Sequence, residues 1–178
     1  MKLYFVVQKD HVRQYDFGRV LASYFTWKNS FSPELFRNID LFVDSGAFSA
    51  WNLKKEIQLQ DYIDFIHKHD IELYAQLDVI YNPAKTRSNL LAMKHAGLHP
   101  MPVFHYKTAI SHLKRLVKEN YQYIGLGGLV PLANQKTTLV KWLDYCFKYL
   151  HGYVVEGLKV HGFGISNVEI MKRYPFYS

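Results

Sequence analysis

Six short apolar runs, at 3–7, 41–43, 72–77, 101–104, 123–126 and 158–161, alternate with helical patterns along a chain of 178 residues. That alternation predicts an α/β fold, because strand, loop and helix repeated five times or more imply a parallel sheet with right-handed crossovers. The number of units favours a TIM (β/α)8-type barrel over an open sheet. No GxGxxG follows the first run and no GxxxxGK[ST] occurs anywhere, so neither nucleotide-binding fingerprint supports a doubly wound alternative. Such a barrel usually needs roughly 200 residues or more. With six to seven strands, the chain is expected to form a single barrel domain over 1–178 that is incomplete at its C-terminus by about one unit.

The elements follow from local chemistry. After the first apolar run, 8–39 is irregular, with a helical stretch around 20–27. Leu41-Phe42-Val43 is stiff and apolar at every position, as a strand buried on both faces requires. Over 57–69, Ile57, Tyr62, Phe65 and Ile66 share one stripe, which predicts an amphipathic helix. Pro83 opens a second helix that runs to His95 and is closed by Gly97. A third covers 109–120, and a fourth covers 135–150 with Leu139, Trp142, Leu143, Cys146 and Tyr149 at three-and-four spacing. Ser166-Asn167 caps a last helix to Arg173.

Composition narrows the classes. The chain is 49% hydrophobic and 21% charged, enough to bury a core and too apolar for a disordered segment. A formal charge of +7 suits a polyanionic partner such as nucleic acid. The basic residues are scattered, however, as on solvated helix faces. A single cysteine, Cys146, excludes an internal disulfide and any multi-cysteine zinc site, and its apolar helix suits an inert buried thiol. The N-terminal apolar stretch is too short for a signal peptide, and no run of about 18 apolar residues exists. A cytoplasmic protein without a membrane partner is expected.

Chemistry-bearing residues gather at the strand ends, where barrels of this type build their active sites. Asp44-Ser45-Gly46-Ala47-Phe48 follows the second run, and Asp78 closes the third. Phe104-His105-Tyr106 ends the fourth, Gly125-Leu126-Gly127-Gly128-Leu129 the fifth, and His161-Gly162-Phe163-Gly164 the sixth. Each has a plain alternative, such as an Asp capping a loop, a glycine turn or a core histidine. Together they offer carboxylates for a ring N–H beside an exocyclic amine, and backbone donors for a carbonyl oxygen. That set matches the edge of a guanine-like base.

These residues carry a family resemblance. Leu41 to Phe48 resembles the DSGG[FY]Q segment of the tRNA-guanine (queuine) transglycosylases, and Tyr123 to Val130 resembles their GGL loop. Ala75-Gln76-Leu77-Asp78 with Asn82-Pro83 is similar to the family's strand-end Asp and the proline-containing stretch after it, and Val160 to Gly164 resembles its MGVG turn. The order and spacing agree from Leu41 onward, nearest to divergent phage and bacterial members, some of which modify DNA instead of tRNA.

The resemblance implies a glycosyltransferase barrel that exchanges guanine in tRNA or DNA for a 7-deazaguanine base. In that reaction an Asp attacks the ribose carbon as the glycosidic bond breaks, and the incoming base displaces the covalent intermediate. Carried over, Asp44 contacts the base and assists proton transfer, Ser45 lies beside it, and Asp78 reads the amidine-like edge. Gly127, Gly128 and Leu129 offer backbone donors to the base carbonyl. His105 stands where the family has a Gln, and His161, followed by Gly162, stands where it has a Met.

The departures are specific. Ala47 replaces a glycine, and Ser49 replaces the Gln that closes the first motif. The CxCxxC zinc site is absent, so no metal or other cofactor is expected. The family's nucleophilic Asp follows the strand that corresponds here to 174–178, so it is not present in this chain. A second polypeptide or a homo-oligomer that completes the barrel is one expectation. A non-catalytic module binding a purine base or nucleic acid is the alternative, and a sugar hydrolase using Asp44 and Asp78 as acid and base is a third.

Overall fold

The computed structural model describes all residues except 8–9 and 11–17. The part of the irregular 8–39 stretch that falls on those residues lies outside the described residues. The chain divides into two compact units, Leu3–Pro100 and Met101–Ser178, the latter joined by Met1–Lys2.

Within Leu3–Pro100, β1 (Phe5–Val6), β2 (Arg19–Ser23) and β3 (Asp40–Asp44) form a parallel sheet in that order. The register runs from Arg19 opposite Asp40 to Ser23 opposite Asp44. Phe42 and Val43 are both fully buried, as an apolar strand covered on both faces requires. The stretch expected as a helix over 20–27 is strand in its first half. Only Tyr24–Trp27 is helical, as α1. β-branched Val20 and its partners pack with Trp27 and Phe36 into one cluster.

Helices α2 (Ala47–Asn52), α3 (Leu59–Lys68) and α4 (Pro83–His95) complete this unit. The buried stripe of α3 is Tyr62, Ile63, Phe65 and Ile66, which packs with Val43, Tyr74, Leu77 and Met93 in a second cluster. α4 starts where expected, with Pro83 in its first turn and the Asn82 side chain accepting from the Lys85 amide.

Within the other unit, β4 (Val103–His105), β5 (Tyr123–Gly127) and β6 (Lys159–Gly162) form a second parallel sheet in that order. Between them run α5 (Ile110–Lys118) and the long α6 (Lys136–Val155), and α7 (Val168–Arg173) follows. Asn167 caps α7 by accepting from the amides of Glu169 and Ile170, as its sequence predicts. The terminal segment lies along β6, with the Tyr177 amide donating to Val160 O and the Gly162 amide to Ser178 O.

The expected TIM-type barrel, complete or short of one unit, is overturned. Among the described residues the strands form two parallel sheets of three, with seven α-helices, and no closed barrel is seen. The reason is local. The run at 72–77 makes isolated bridge positions at Tyr74, which pairs with Val43, and at Ala75, instead of a strand. Next in the chain, Pro100 and Pro102 remove two amide donors on either side of Met101, and β4 begins only at Val103. That stretch keeps a bridge position at Met101 and an accepting Pro102 carbonyl, bonded by the Gly125 amide, but no continuous strand.

The backbone of 74–79 is satisfied by helix side chains instead. Tyr62 Oη donates to Ala75 O at 2.9 Å, Asn89 Nδ2 donates to Leu77 O at 2.9 Å, and the Val79 amide donates to Thr86 Oγ1 at 2.9 Å. Removing the buried phenol strands a carbonyl, which typically costs about 1–3 kcal/mol. Tyr62→Phe is therefore expected to lower the unfolding free energy by that amount in urea denaturation, and an unchanged midpoint would show that Ala75 O does not depend on the phenol.

Candidate functional site

At the C-terminal end of β3 the chain turns sharply into α2. Asp44 Oδ2 accepts from the Gly46 amide at 3.0 Å, the local bond expected of an Asp in a turn. Gly46 sits at φ 78°. A β-carbon there would meet Ser23 Oγ at 2.3 Å and Phe25 Cβ at 2.6 Å, so only glycine fits. Ser45 is fully buried, and its hydroxyl accepts from the Ala47 amide at 3.2 Å while donating to Asp78 Oδ1 at 2.8 Å.

That last bond joins two strand-end segments 33 residues apart. Asp44, Ser45 and Asp78, all singled out from sequence, are thus assembled in one place. Tyr62 marks their common electrostatic neighbourhood. Its phenol is held well above the usual range, first by burial and then by the carboxylates of Asp44 and Asp78. Beside Asp78 opens a cleft of about 260 Å³ lined by Trp51, Lys55, Lys85 and Asn89, among others.

The remaining sequence candidates lie in the other unit. His105 is the last residue of β4 and is buried, paired in register with Gly127 of β5. A β-carbon on Gly127 would meet Val103 Cγ1 at 2.7 Å and His105 Cδ2 at 3.0 Å, so the close packing of the two strands requires glycine. Gly128 follows at φ 71°, and Leu129 is buried. His161 pairs with Gly125, and Gly162 with Leu126.

His161 is 5% exposed, and its Nδ1 lies 2.7 Å from Ser178 Oγ, which also bonds the Tyr123 hydroxyl. Burial lowers its pKa to about 3, so the imidazole is neutral. Cys146 is buried as expected, its thiol pushed up to about 12.

Sequence inspection missed Tyr62, Thr86 and Asn89, which fix the segment that carries Asp78. A signal existed in α4, where Thr86 and Asn89 stand one turn apart on the face that also presents Leu90 and Met93. Ser178 was noted only as the end of the last strand. Among the described residues no group of three or more His, Cys, Asp or Glu is placed to hold a metal ion, and no helix is long and apolar enough to cross a membrane. No protein-family model, curated protein or solved structure matches the chain.

Two outcomes test this geometry. Gly46→Ala is expected to cost about 1–3 kcal/mol in urea denaturation, from a strained left-handed alanine and the clash with Phe25. A neutral-as-wild-type Gly46→Ala would mean the turn relaxes freely. The second outcome follows from His161, whose pKa falls from 6.5 to about 3 on folding. The unfolded chain binds the extra proton between those values, so the stability from neutral His161 is full above about pH 6.5 and is lost as pH falls toward about 3. His161→Asn, which cannot titrate, should show a shallower loss of stability between about pH 7 and pH 4, and equal slopes in the two proteins would exclude a buried neutral imidazole.

Proposed function

We propose that this chain binds a guanine-type base through Asp44 and Asp78 and serves guanine exchange in nucleic acid, with a 7-deazaguanine as the incoming base and tRNA or DNA as the substrate. The observation that carries this assignment is the Ser45–Asp78 hydrogen bond at 2.8 Å, which fixes two strand-end carboxylate segments relative to each other. Carboxylates so held complement a ring N–H beside an exocyclic amine, the donor edge of guanine and of its 7-deaza analogues.

Each residue takes a distinct part. Asp78 accepts from the amidine-like edge. Ser45, whose hydroxyl is occupied as both donor and acceptor, positions Asp78. Asp44 contacts the base and moves a proton during exchange, and no residue of 1–178 is assigned as the nucleophile. The positive charge of +7 favours a polyanionic substrate, and a lone buried thiol suits a reducing cytoplasm.

A ligand that binds only the folded state raises its melting temperature. A 7-deazaguanine base is expected to raise Tm in a thermal-shift measurement, while adenine, with a different donor edge, does not. Asp78→Asn keeps a partner for Ser45 but replaces an acceptor with an amide, and it should abolish the shift without unfolding the protein. An undiminished shift in Asp78→Asn, or equal shifts with adenine, would reject the assignment.

A further inference from the structure

We propose that Trp51, Tyr81, Lys55 and Lys85 form a binding face for single-stranded nucleic acid beside Asp78, with a base stacked on the rings and the backbone phosphates at the lysines; as a substrate surface, it rests on the base-binding assignment above. Trp51 and Tyr81 are 47% and 58% exposed, and their ring centroids lie 5.6 Å apart at 80°. Phe48 continues the aromatic row, 6.0 Å from Trp51. Two large rings left open to solvent next to a cleft are a stacking surface that any base can use, since every base has a π-face.

Tyr81 adds a second, independent feature. Its φ is 58°, a left-handed conformation that a bulky side chain adopts only when its surroundings impose it. The turn around it is fixed by the Asn82 amide donating to Val79 O and by the Asn82 side chain capping α4. The strained backbone therefore presents the Tyr81 ring to Trp51 rather than folding it away.

The cleft floor supplies the third feature. Asn89 is 2% exposed and donates through Nδ2 to Leu77 O, while its Oδ1 has no hydrogen-bond partner in the protein. Asn89 lines the cleft with Lys55 and Lys85, and the bond from its Nδ2 to Leu77 O holds that wall in place beside the two lysines. Glu56 and Asp78 lie on the same lining, so the cleft is not a plain anion trap. Stacking then supplies the affinity and the two lysines supply a modest salt dependence.

The test is fluorescence anisotropy of labelled oligothymidylate and oligouridylate, which contain no guanine, on the full chain. Two phosphate contacts on a single strand give a slope of log affinity against log salt of about −1.4, or roughly a sevenfold loss from about 50 to 200 mM salt. Trp51→Ala should weaken binding roughly five- to a hundred-fold. Lys55→Gln with Lys85→Gln should flatten the salt slope. These positions are exposed, so unchanged melting temperatures certify the fold of each variant. Binding of both oligomers supports the face. Binding of neither, equal binding of a duplex of the same length, or undiminished affinity in Trp51→Ala overturns it.

The same variants separate the two proposals. Loss of oligomer binding in Trp51→Ala with the 7-deazaguanine thermal shift retained supports the face as a distinct element. A wild-type chain that binds the base and neither oligomer sinks this inference alone, whereas one that binds oligomers and no base sinks the base assignment and leaves the stacking face standing.

Discussion

The site in Leu3–Pro100 depends on how the backbone of 73–79 finds its hydrogen bonds. Only Leu73 and Ala75 reach β3, through Val43. Beyond them, Tyr62 serves the Ala75 carbonyl, Asn89 the Leu77 carbonyl, Met93 Sδ the Leu77 amide and Thr86 the Val79 amide. Three of those four side chains come from one face of α4. An unsatisfied buried amide or carbonyl costs about 1–3 kcal/mol, so α3 and α4 cannot shift without exposing several such penalties at once. Asp78 stands between two residues held in this way. Its position is set by the helices, and Ser45 then ties it to the end of β3.

Electrostatics gives that arrangement its chemical direction. The carboxylates of Asp44 and Asp78 both act on one buried phenol and, after burial, hold its pKa up. Tyr62 stays protonated and keeps its bond to Ala75. The Ser45 hydroxyl and the Gly46 amide each supply one donor, the first to Asp78 and the second to Asp44. A guanine-type edge supplies further donors in the plane of a flat ring. The rule that ligands bind beyond the carboxyl ends of parallel strands applies to a three-stranded sheet as it does to a closed barrel. The loss of the barrel therefore leaves the end of β3 as a place where the proposed base could bind.

Apolar patterning made β3, α3, β5 and α6 legible, because each buries a face whose spacing survives in the sequence, and α4 was legible from Pro83 at its start and Gly97 beyond its end. The motif at Asp44 was also legible, since a carboxylate and a glycine directly after a buried strand constrain the backbone strongly. The barrel was not. Glu72 to Leu77 reads as a strand by composition, yet its partners are helix side chains that hydrophobic pattern cannot display. Thr86 and Asn89 left only the weak signal of their spacing with Leu90 and Met93, being polar residues on a buried face. Short α1 and β2 were merged into one helix because Val20 to Trp27 is apolar at nearly every position, which suits either element.

His161 shows why a chemistry-bearing residue at a strand end is not by itself a substrate contact. A base-facing imidazole needs an accessible ring nitrogen or an open face, but here Nδ1 is engaged with Ser178 and the ring packs edge-on against Phe163 at 4.3 Å. Its burial keeps it neutral, which suits the hydrogen bond to a hydroxyl partner. The imidazole therefore holds residues 177–178 against β6, where the Tyr177 amide donates to Val160 O. Within its own unit His161 is a positioning group for the terminal segment. The carboxylates of Asp44 and Asp78 stand in contrast, half-buried and partly open beside a turn that tolerates only glycine.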